Sequence, residues 1–329
     1  MKAITYTGYG SPEVIRLTEI AKPTPKANEV LVKVHTTSIT TADSMIREGK
    51  PCYGRLFLGL SKHKHPIAGT GFSGEVEQIG EGVTQFKTGD AVFGETGMNF
   101  SANAEYICIA EDAVISTMPD NLSHTEAASI CDGALTSYAF LKDLGKLKRG
   151  QRVLINGASG SLGSAAVQIA KAMGAEVTGV CSSTNIEMVK SLGADKVIDY
   201  HEEDFTKSHT QGDYKYDIVY DTIGKSSFGL CKNILKQQGV YLSPVLSFPL
   251  LLQTVCRINS KGKTAKFSAT GLRPASELRA LINELKTLFE AEQIKTIIDR
   301  SYSIEETADA HRYIDTGRKK GNVVVSIAI

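Results

Sequence analysis

The 329-residue chain predicts an α/β protein, a doubly wound parallel sheet set between two β-patterned flanks. Three observations carry this. Between Arg152 and about Phe267, short apolar runs alternate with helical patterns, as in a parallel sheet covered on both faces. The first of these runs enters a glycine-rich turn, INGASGSLG (155–163), that opens a helix. The first 120 residues and the closing GNVVVSIAI read as strands, so the alternating segment is an insertion.

In chain order, EVLVKVHTTSI (29–39) alternates, and GTGFSGEVEQIG (69–80) is punctuated by glycine. GDAVFG and AEYICIA follow as short β runs. At Leu122 the pattern turns helical, with Ser123 as N-cap and Glu126 three residues later. The central alternation is strand RVLIN, helix SLGSAAVQIAKAMG, strand EVTGVC, helix NIEMVKSLG, strand KVID, strand YDIVYDTIG, helix SFGLCKNILKQQG and strand VYLS. Leu278, Leu281, Ile282, Leu285 and Leu288 mark one stripe of a late amphipathic helix.

Composition excludes several classes. A hydrophobic fraction of 42% with 22% charged residues is that of a globular chain. A net charge of +1 gives no field to attract nucleic acid or an anionic membrane. The opening MKAITYTGYG has no apolar run of a secretory leader, and PVLSFPLLLQTVC (244–256) is too short to span a bilayer. A cytoplasmic protein is expected. The six cysteines (52, 108, 131, 181, 231, 256) have no close pair, which predicts buried thiols rather than a metal knuckle or disulfides. His63 and His65, in SKHKHP, read as a solvated loop, and His311 as a packed helix residue.

The glycine turn is the strongest functional signal. In the dinucleotide fingerprint G-x-G-x-x-G the three positions fall on Ala158, Gly160 and Gly163, so the first glycine is replaced, while Gly157 adds freedom one residue earlier. Backbone N–H groups of Ser159, Ser161 and Leu162 and the helix start then face a pyrophosphate. NAD sites usually place an acid about 20 residues on. Here Ser182, Ser183, Thr184 and Asn185 stand there instead, which favours the 2′-phosphate of NADPH. Tyr200, in VIDY, closes that pocket or is an edge aromatic.

With GYGSPEVIRLTEIAKPTPKANEVLVKV, GFSGEVEQIGEGVTQFKTGDAVFG, AEYICIAEDAVISTMPDNLSHTEAA, GASGSLGSAAVQIAKAMGAEVTGVCSS, LGADKVIDY and AHRYIDTGRKKGNVVV in order, the whole chain resembles the medium-chain dehydrogenase/reductase superfamily, in its zinc-independent quinone oxidoreductase branch. The resemblance implies a GroES-like catalytic domain (1–121 and 269–329) around an inserted Rossmann coenzyme domain (122–268). It also implies a homodimer. Zinc-containing members carry a Cys in the segment TTSITTAD and a His where this chain has Thr70. Thr40, Thr41 and Ala42 offer no thiolate, and Cys131, close to the third ligand's place, cannot hold zinc alone, so a zinc-free site is expected.

For the catalytic side, the resemblance places Thr40 next to the nicotinamide, where many relatives have Asn. Asp43 matches the same motif's acid, or caps the following helix. Tyr53 falls near the tyrosine that related reductases place over the substrate, or packs its loop. For the cofactor, Thr136, Thr222 and Gly224 match blocks lining the cleft, Ser243 and Ser268 follow later strands, and Asn322 takes a position relatives use near the cofactor. The apolar insert at 247–267 forms a substrate wall or a subunit contact. The resemblance implies NADPH-dependent reduction of small quinones or α,β-unsaturated carbonyls. An enoyl-thioester reductase and a non-catalytic NADPH-binding regulator are the alternatives.

Overall fold

In the computed structural model, residues 1–207, 214–255 and 262–327 are described. Strand β1 (Lys2–Tyr6) pairs antiparallel with β2 (Ile15–Glu19). Strand β3 (Glu29–Ile39) coincides with the EVLVKVHTTSI run, and Gly49 at φ +65° ends the following helix α1 (Thr41–Glu48). After the single turn α2 (Arg55–Leu58) come β4 (Gly71–Ile79), β5 (Ala91–Glu95), β6 (Tyr106–Ala110) and β7 (Val114–Thr117). All of them pair antiparallel: β4 and β6 with β3, β5 with β4, and β7 with β5. Helix α3 (His124–Ala127) starts on the expected capping box of Ser123 and Glu126. It then widens into a π-type turn, Ile130–Leu135, before α4 (Thr136–Ala139).

The central segment builds the second sheet from β8 (Arg152–Asn156), β9 (Glu176–Cys181), β10 (Lys196–Asp199), β11 (Tyr216–Asp221), β12 (Leu235–Ser243) and β13 (Thr264–Phe267). Its helices are α5 (Ser161–Ala172), α6 (Ile186–Ser191), α7 (Phe228–Cys231) and α8 (Phe248–Val255). The spatial order is β10-β9-β8-β11-β12-β13, with every pair parallel. This is the 3-2-1-4-5-6 order of a dinucleotide-binding sheet, and the order reverses between β8 and β11.

One expected element is corrected. The helix read over SFGLCKNILKQQG is only the four-residue α7, and β12 already begins at Leu235. Leu235 pairs with Tyr216 and both are buried, so burial at the sheet outweighs the helical pattern; the register then shifts before Ile218.

The chain returns through α9 (Ala275–Glu290), β14 (Ile298–Ser303), α10 (Thr307–Asp315) and β15 (Asn322–Ser326). Strand β15 inserts antiparallel beside β3 and carries β14 parallel on its other edge, so the C-terminal strand completes the N-terminal sheet. Val30, Val32, Val34, Phe72, Val92, Ile107 and Val323 form its core, each contributing roughly 1.5–3 kcal/mol by leaving water. The α9 stripe is buried at Leu278, Leu281, Ile282 and Leu285 but closes on Phe289, with Leu288 half-buried.

Two units result, Met1–Asp132 with Gly271–Glu290 and Thr296–Ile329, and Gly133–Thr270 with Ala291–Lys295. The sequence placed the first division after 121. Residues up to Asp132 stay with the first unit because α3 lies on β3 and β4. There His124 stacks on His35 at 4.3 Å and its Nδ1 lies 2.7 Å from Ser73 Oγ.

His63 departs from the solvated-loop expectation. It is buried between Tyr6 (4.8 Å) and Tyr9 (4.2 Å), whereas His65 is exposed. Among the described cysteines Cys131, Cys181 and Cys231 are buried and Cys52 is exposed; Cys256 lies outside the described residues, as do 257–261 of the apolar insert. In the described part of that insert Leu250 is buried, while Phe248, Leu251 and Leu252 face solvent. No helix among the described residues is long and apolar enough to cross a membrane.

Candidate functional site

In the second unit, the turn after β8 shows why alanine is accepted at the first fingerprint position. The left-handed backbone belongs to Gly157 (φ +77°), where a Cβ would lie 2.7 Å from Thr222 Oγ1 and from Ile223. Ala158 is buried, and its Cβ fills space left by Gly179. Both Gly157 and Ala158 donate their N–H to the Val180 carbonyl (3.1 and 3.0 Å), tying the turn to β9. Gly163 packs α5 directly against the turn, since a Cβ there would stand 2.0 Å from the Gly157 carbonyl oxygen. Helix α5 begins at Gly160 with no side-chain cap, so its first-turn N–H groups have no acceptor inside the helix. An uncapped helix start behind a glycine turn fits a dinucleotide pyrophosphate.

Beside the turn, β9 ends in hydroxyls. Asn185 Nδ2 donates to Ser159 Oγ (3.1 Å) and Ser182 Oγ (3.2 Å), and Ser182 Oγ lies 3.1 Å from Thr184 Oγ1. One amide thus joins the fingerprint loop to the β9 end. Ser183 is exposed, and so is Tyr200, whose N–H bonds the Cys181 carbonyl (3.2 Å) and whose ring lies on His201. No carboxylate stands in this group.

At the switch point, Asp221 is fully buried. It accepts from Asn156 Nδ2 (2.9 Å), Tyr241 Oη (2.9 Å), and the N–H groups of Gly224 (3.1 Å) and Ser226 (2.8 Å). Thr222 donates its hydroxyl to the Asn156 carbonyl (2.7 Å), so this side chain shapes the loop rather than projecting from it. Ser243 is buried at the end of β12, accepting from the Val245 N–H (3.2 Å), and Ser268 is half-buried just past β13. Thr136 opens α4, half-buried.

In the first unit, the end of β3, the start of β4 and the end of β5 bring together residues far apart in sequence. Asp43 is buried and forms a capping box with Thr40: its carboxylate accepts from the Thr40 N–H (2.8 Å) and hydroxyl (2.6 Å), and Thr40 Oγ1 accepts from the Asp43 N–H (3.2 Å). The Thr40 hydroxyl proton is therefore engaged by Asp43. Ser38 Oγ donates to Asp132 Oδ2, and Thr70 Oγ1 lies 3.5 Å from Asp132 Oδ1. It is Asp132, not its neighbour Cys131, that meets Thr70. Tyr53 is exposed on the Cys52–Gly54 turn, and Asn322 donates its amide to the Ile297 carbonyl (3.0 Å).

Burial raises the Asp132 carboxyl to about 7, with the Asp43 charge adding to it and the Ser38 bond opposing. Glu95, whose Oε1 is buried without a partner, is raised to about 8 by burial and then by the Asp132 charge. Half-buried Lys319 is lowered by burial, while Asp132 and Asp43 pull it back up. His311, fully buried, is lowered to about 3 by burial and the nearby Arg47 charge.

These shifts set a pH dependence. Asp132 and Glu95 hold their protons in the fold to about 7 and 8, against ordinary values of 3.8 and 4.5. Their contribution to stability is complete below about pH 4 and is lost as pH rises through 7–8. His311 acts oppositely, but only below 6.5. Between pH 6.5 and 8 the urea midpoint is expected to fall, and Asp132→Asn combined with Glu95→Gln to flatten that slope. A slope unchanged in the double variant would contradict the assignment.

The donor set does not suit zinc. Thr40 and Thr70 offer neutral hydroxyls, the Cys131 thiol is pushed well up by burial and by the charges of Glu95 and Asp132, and no group of three or more His, Cys, Asp or Glu among the described residues is placed to hold a metal ion. Asp132, Glu95, Lys319 and Asp221 escaped the sequence reading. For Asp132 there was a signal: a lone acid inside the apolar stretch AASICDGAL.

Residues 26–149 match the alcohol dehydrogenase GroES-like domain family, and residues 192–325 match a family described as zinc-binding dehydrogenase. The chain is 30% identical to the 2-methylene-furan-3-one reductase of Solanum lycopersicum over 339 residues, covering 99% of this chain and 79% of the relative. It is 30% identical to the chloroplastic quinone-oxidoreductase homolog of Spinacia oleracea, covering 99% and 98%. Among solved structures, the Escherichia coli quinone oxidoreductase complexed with NADPH superposes with a TM-score of 0.84 at 25% identity, covering 99% and 100%.

Proposed function

The chain belongs to the quinone oxidoreductase branch of the medium-chain dehydrogenase/reductase superfamily and is a nicotinamide-dependent oxidoreductase; within that class we propose that it is an NADPH-dependent, zinc-independent reductase of quinones and α,β-unsaturated carbonyls. The observation that carries the proposal is the pair of donor sets just described: hydroxyls without a carboxylate at the end of β9, and hydroxyls with carboxyls, not a thiolate and imidazole, at the end of β3. The names of the tomato, spinach and Escherichia coli proteins support the same reading.

The bound nicotinamide supplies a hydride. The chain's own part is to hold the dinucleotide on the α5 start, to admit a 2′-phosphate beside Ser182 and Ser183, and to stabilise the anion formed on the acceptor. Without a Lewis acid, that anion has to be stable on its own. A hydroquinone resembles a phenol, with a pKa of about 10, whereas a simple alcohol lies nearer water's roughly 15.7. Quinones and conjugated carbonyls, which delocalise the charge, are therefore the matching acceptors.

The test is NADPH oxidation by metal-free protein with a benzoquinone, an enone and a simple aldehyde, with NADH in parallel. Turnover of the quinone or enone, preferring NADPH and indifferent to chelator, is expected. Turnover of the aldehyde alone, lost with chelator, would overturn the proposal.

A further inference from the structure

We propose that Asn185 sets the cofactor preference of the coenzyme unit by fixing which way the hydroxyls of Ser159 and Ser182 face, an inference that rests on the NADPH reading above. Every group involved lies in one unit, Gly133–Thr270 with Ala291–Lys295. The sequence supplies the hydroxyls, but a hydroxyl both donates and accepts. A phosphate dianion only accepts. A serine therefore favours a 2′-phosphate only while its own proton is left over for the ligand.

Three observations show how that proton is kept. First, the end of β9 folds Asn185 back on Ser182. Residues Ser183–Asn185 form one 3-10 turn, and the Asn185 N–H donates to the Ser182 carbonyl (2.9 Å). Ser182 precedes that turn without a side-chain cap bond, so its hydroxyl is not spent on the backbone. Asn185 is buried, whereas Ser159 and Ser182 are half-buried.

Second, both Nδ2 protons of Asn185 are used, one on Ser159 Oγ (3.1 Å) and one on Ser182 Oγ (3.2 Å). The amide meets each serine as a donor, so each oxygen gives up a lone pair and keeps its proton. Ser182 Oγ also lies 3.1 Å from Oγ1 of the exposed Thr184. Whichever of those two hydroxyls donates to the other, one proton of the pair remains for a ligand.

Third, Asn185 Oδ1 is buried without a partner among the described residues. The two Nδ2 bonds alone therefore hold the amide in its orientation. Turned end for end, Oδ1 would accept both serine protons and leave lone pairs facing outward. Such a group repels a phosphate and suits the donating 2′-hydroxyl of NADH. The turn itself does not need the amide, because the Gly157 and Ala158 N–H groups already tie it to the Val180 carbonyl. What Asn185 adds is direction, which makes it a positioning residue.

The test is calorimetric titration of the cofactor-free full chain with NADPH, NADH, adenosine 2′,5′-bisphosphate and 5′-AMP, which reads binding without turnover. In Asn185→Ala the preference for NADPH over NADH is expected to fall about tenfold, the worth of one hydrogen bond to a charged group. The preference for the bisphosphate over 5′-AMP should fall equally. A merely structural role would weaken each pair alike and leave both ratios in place. Ser182→Ala should lower the ratios to the same extent, and adding Asn185→Ala to it should lower them no further, because both changes remove one arrangement. Ser159→Ala takes away one of the two oxygens that hold the amide, so this loop change should also erode the preference, by about threefold. It is the variant that decides if Asn185→Ala does not fold. Ratios within about twofold of wild type in Asn185→Ala, or in Ser159→Ala where that variant decides, would overturn the proposal and leave the NADPH reading intact. Fully additive effects of Asn185→Ala and Ser182→Ala would do the same. Wild-type protein that binds NADH as tightly as NADPH would overturn both.

Discussion

Gly163→Ala is expected to cost at least 100-fold in NADPH affinity. In a helix interior this substitution ordinarily stabilises by about 1 kcal/mol, so the sign of the effect is itself informative. At position 163 the new Cβ would stand 2.0 Å from the Gly157 carbonyl oxygen and 2.7 Å from the Ala158 Cα. Both are backbone atoms, and Gly157 and Ala158 are bonded to Val180, so the turn has little room to retreat. The start of α5 has to move instead, carrying its first-turn N–H groups away from the phosphates. A hundredfold loss corresponds to about 2.7 kcal/mol, readable from NADPH fluorescence on titration. Affinity within threefold of wild type would show that the turn does not cradle the dinucleotide. Ala158→Gly serves as the control, because the strained backbone belongs to Gly157, and it should bind almost normally.

The second large effect is expected from Ser182→Asp. It places a carboxylate in the hydroxyl group formed by Ser182, Thr184 and Asn185. Two like charges about 4 Å apart at an effective dielectric of 20 repel by about 4 kcal/mol, an upper bound near a thousandfold. The ratio of kcat/KM for NADPH over NADH is expected to fall by about 100- to 1,000-fold, chiefly through weaker NADPH. A ratio that does not change would mean that the 2′-phosphate lies elsewhere, and wild-type protein preferring NADH would remove the NADPH assignment altogether.

Much of the coenzyme unit was legible in the chain because its signals are local. The fingerprint spans nine residues, the hydroxyl run follows strand β9 directly, and strand–helix alternation predicts a parallel sheet without reference to the rest of the molecule. The local reading failed where burial overrode it. Leu235 belongs to a strand rather than a helix because it pairs with Tyr216 inside the sheet, and His63 is buried because Tyr6 and Tyr9, more than 50 residues earlier, enclose it. Asp43 had been open between two roles, and only the geometry of the Thr40 cap shows one of them in place.

The sequence by itself determined the glycine turn that opens helix α5, the missing acid after β9, and a β-region built from both termini, since each depends on spacing over a few residues. Tertiary structure alone decided the proton chemistry. Ser38, Thr70, Glu95, Asp132 and Lys319 come from five separate stretches: antiparallel pairing of β3, β4, β5 and β15 brings the strand ends together, and α3, lying on β3 and β4, leads into the turn that carries Asp132. Their titration depends on that meeting, because a carboxyl keeps its proton at neutral pH only where burial and a neighbouring charge act on it at once.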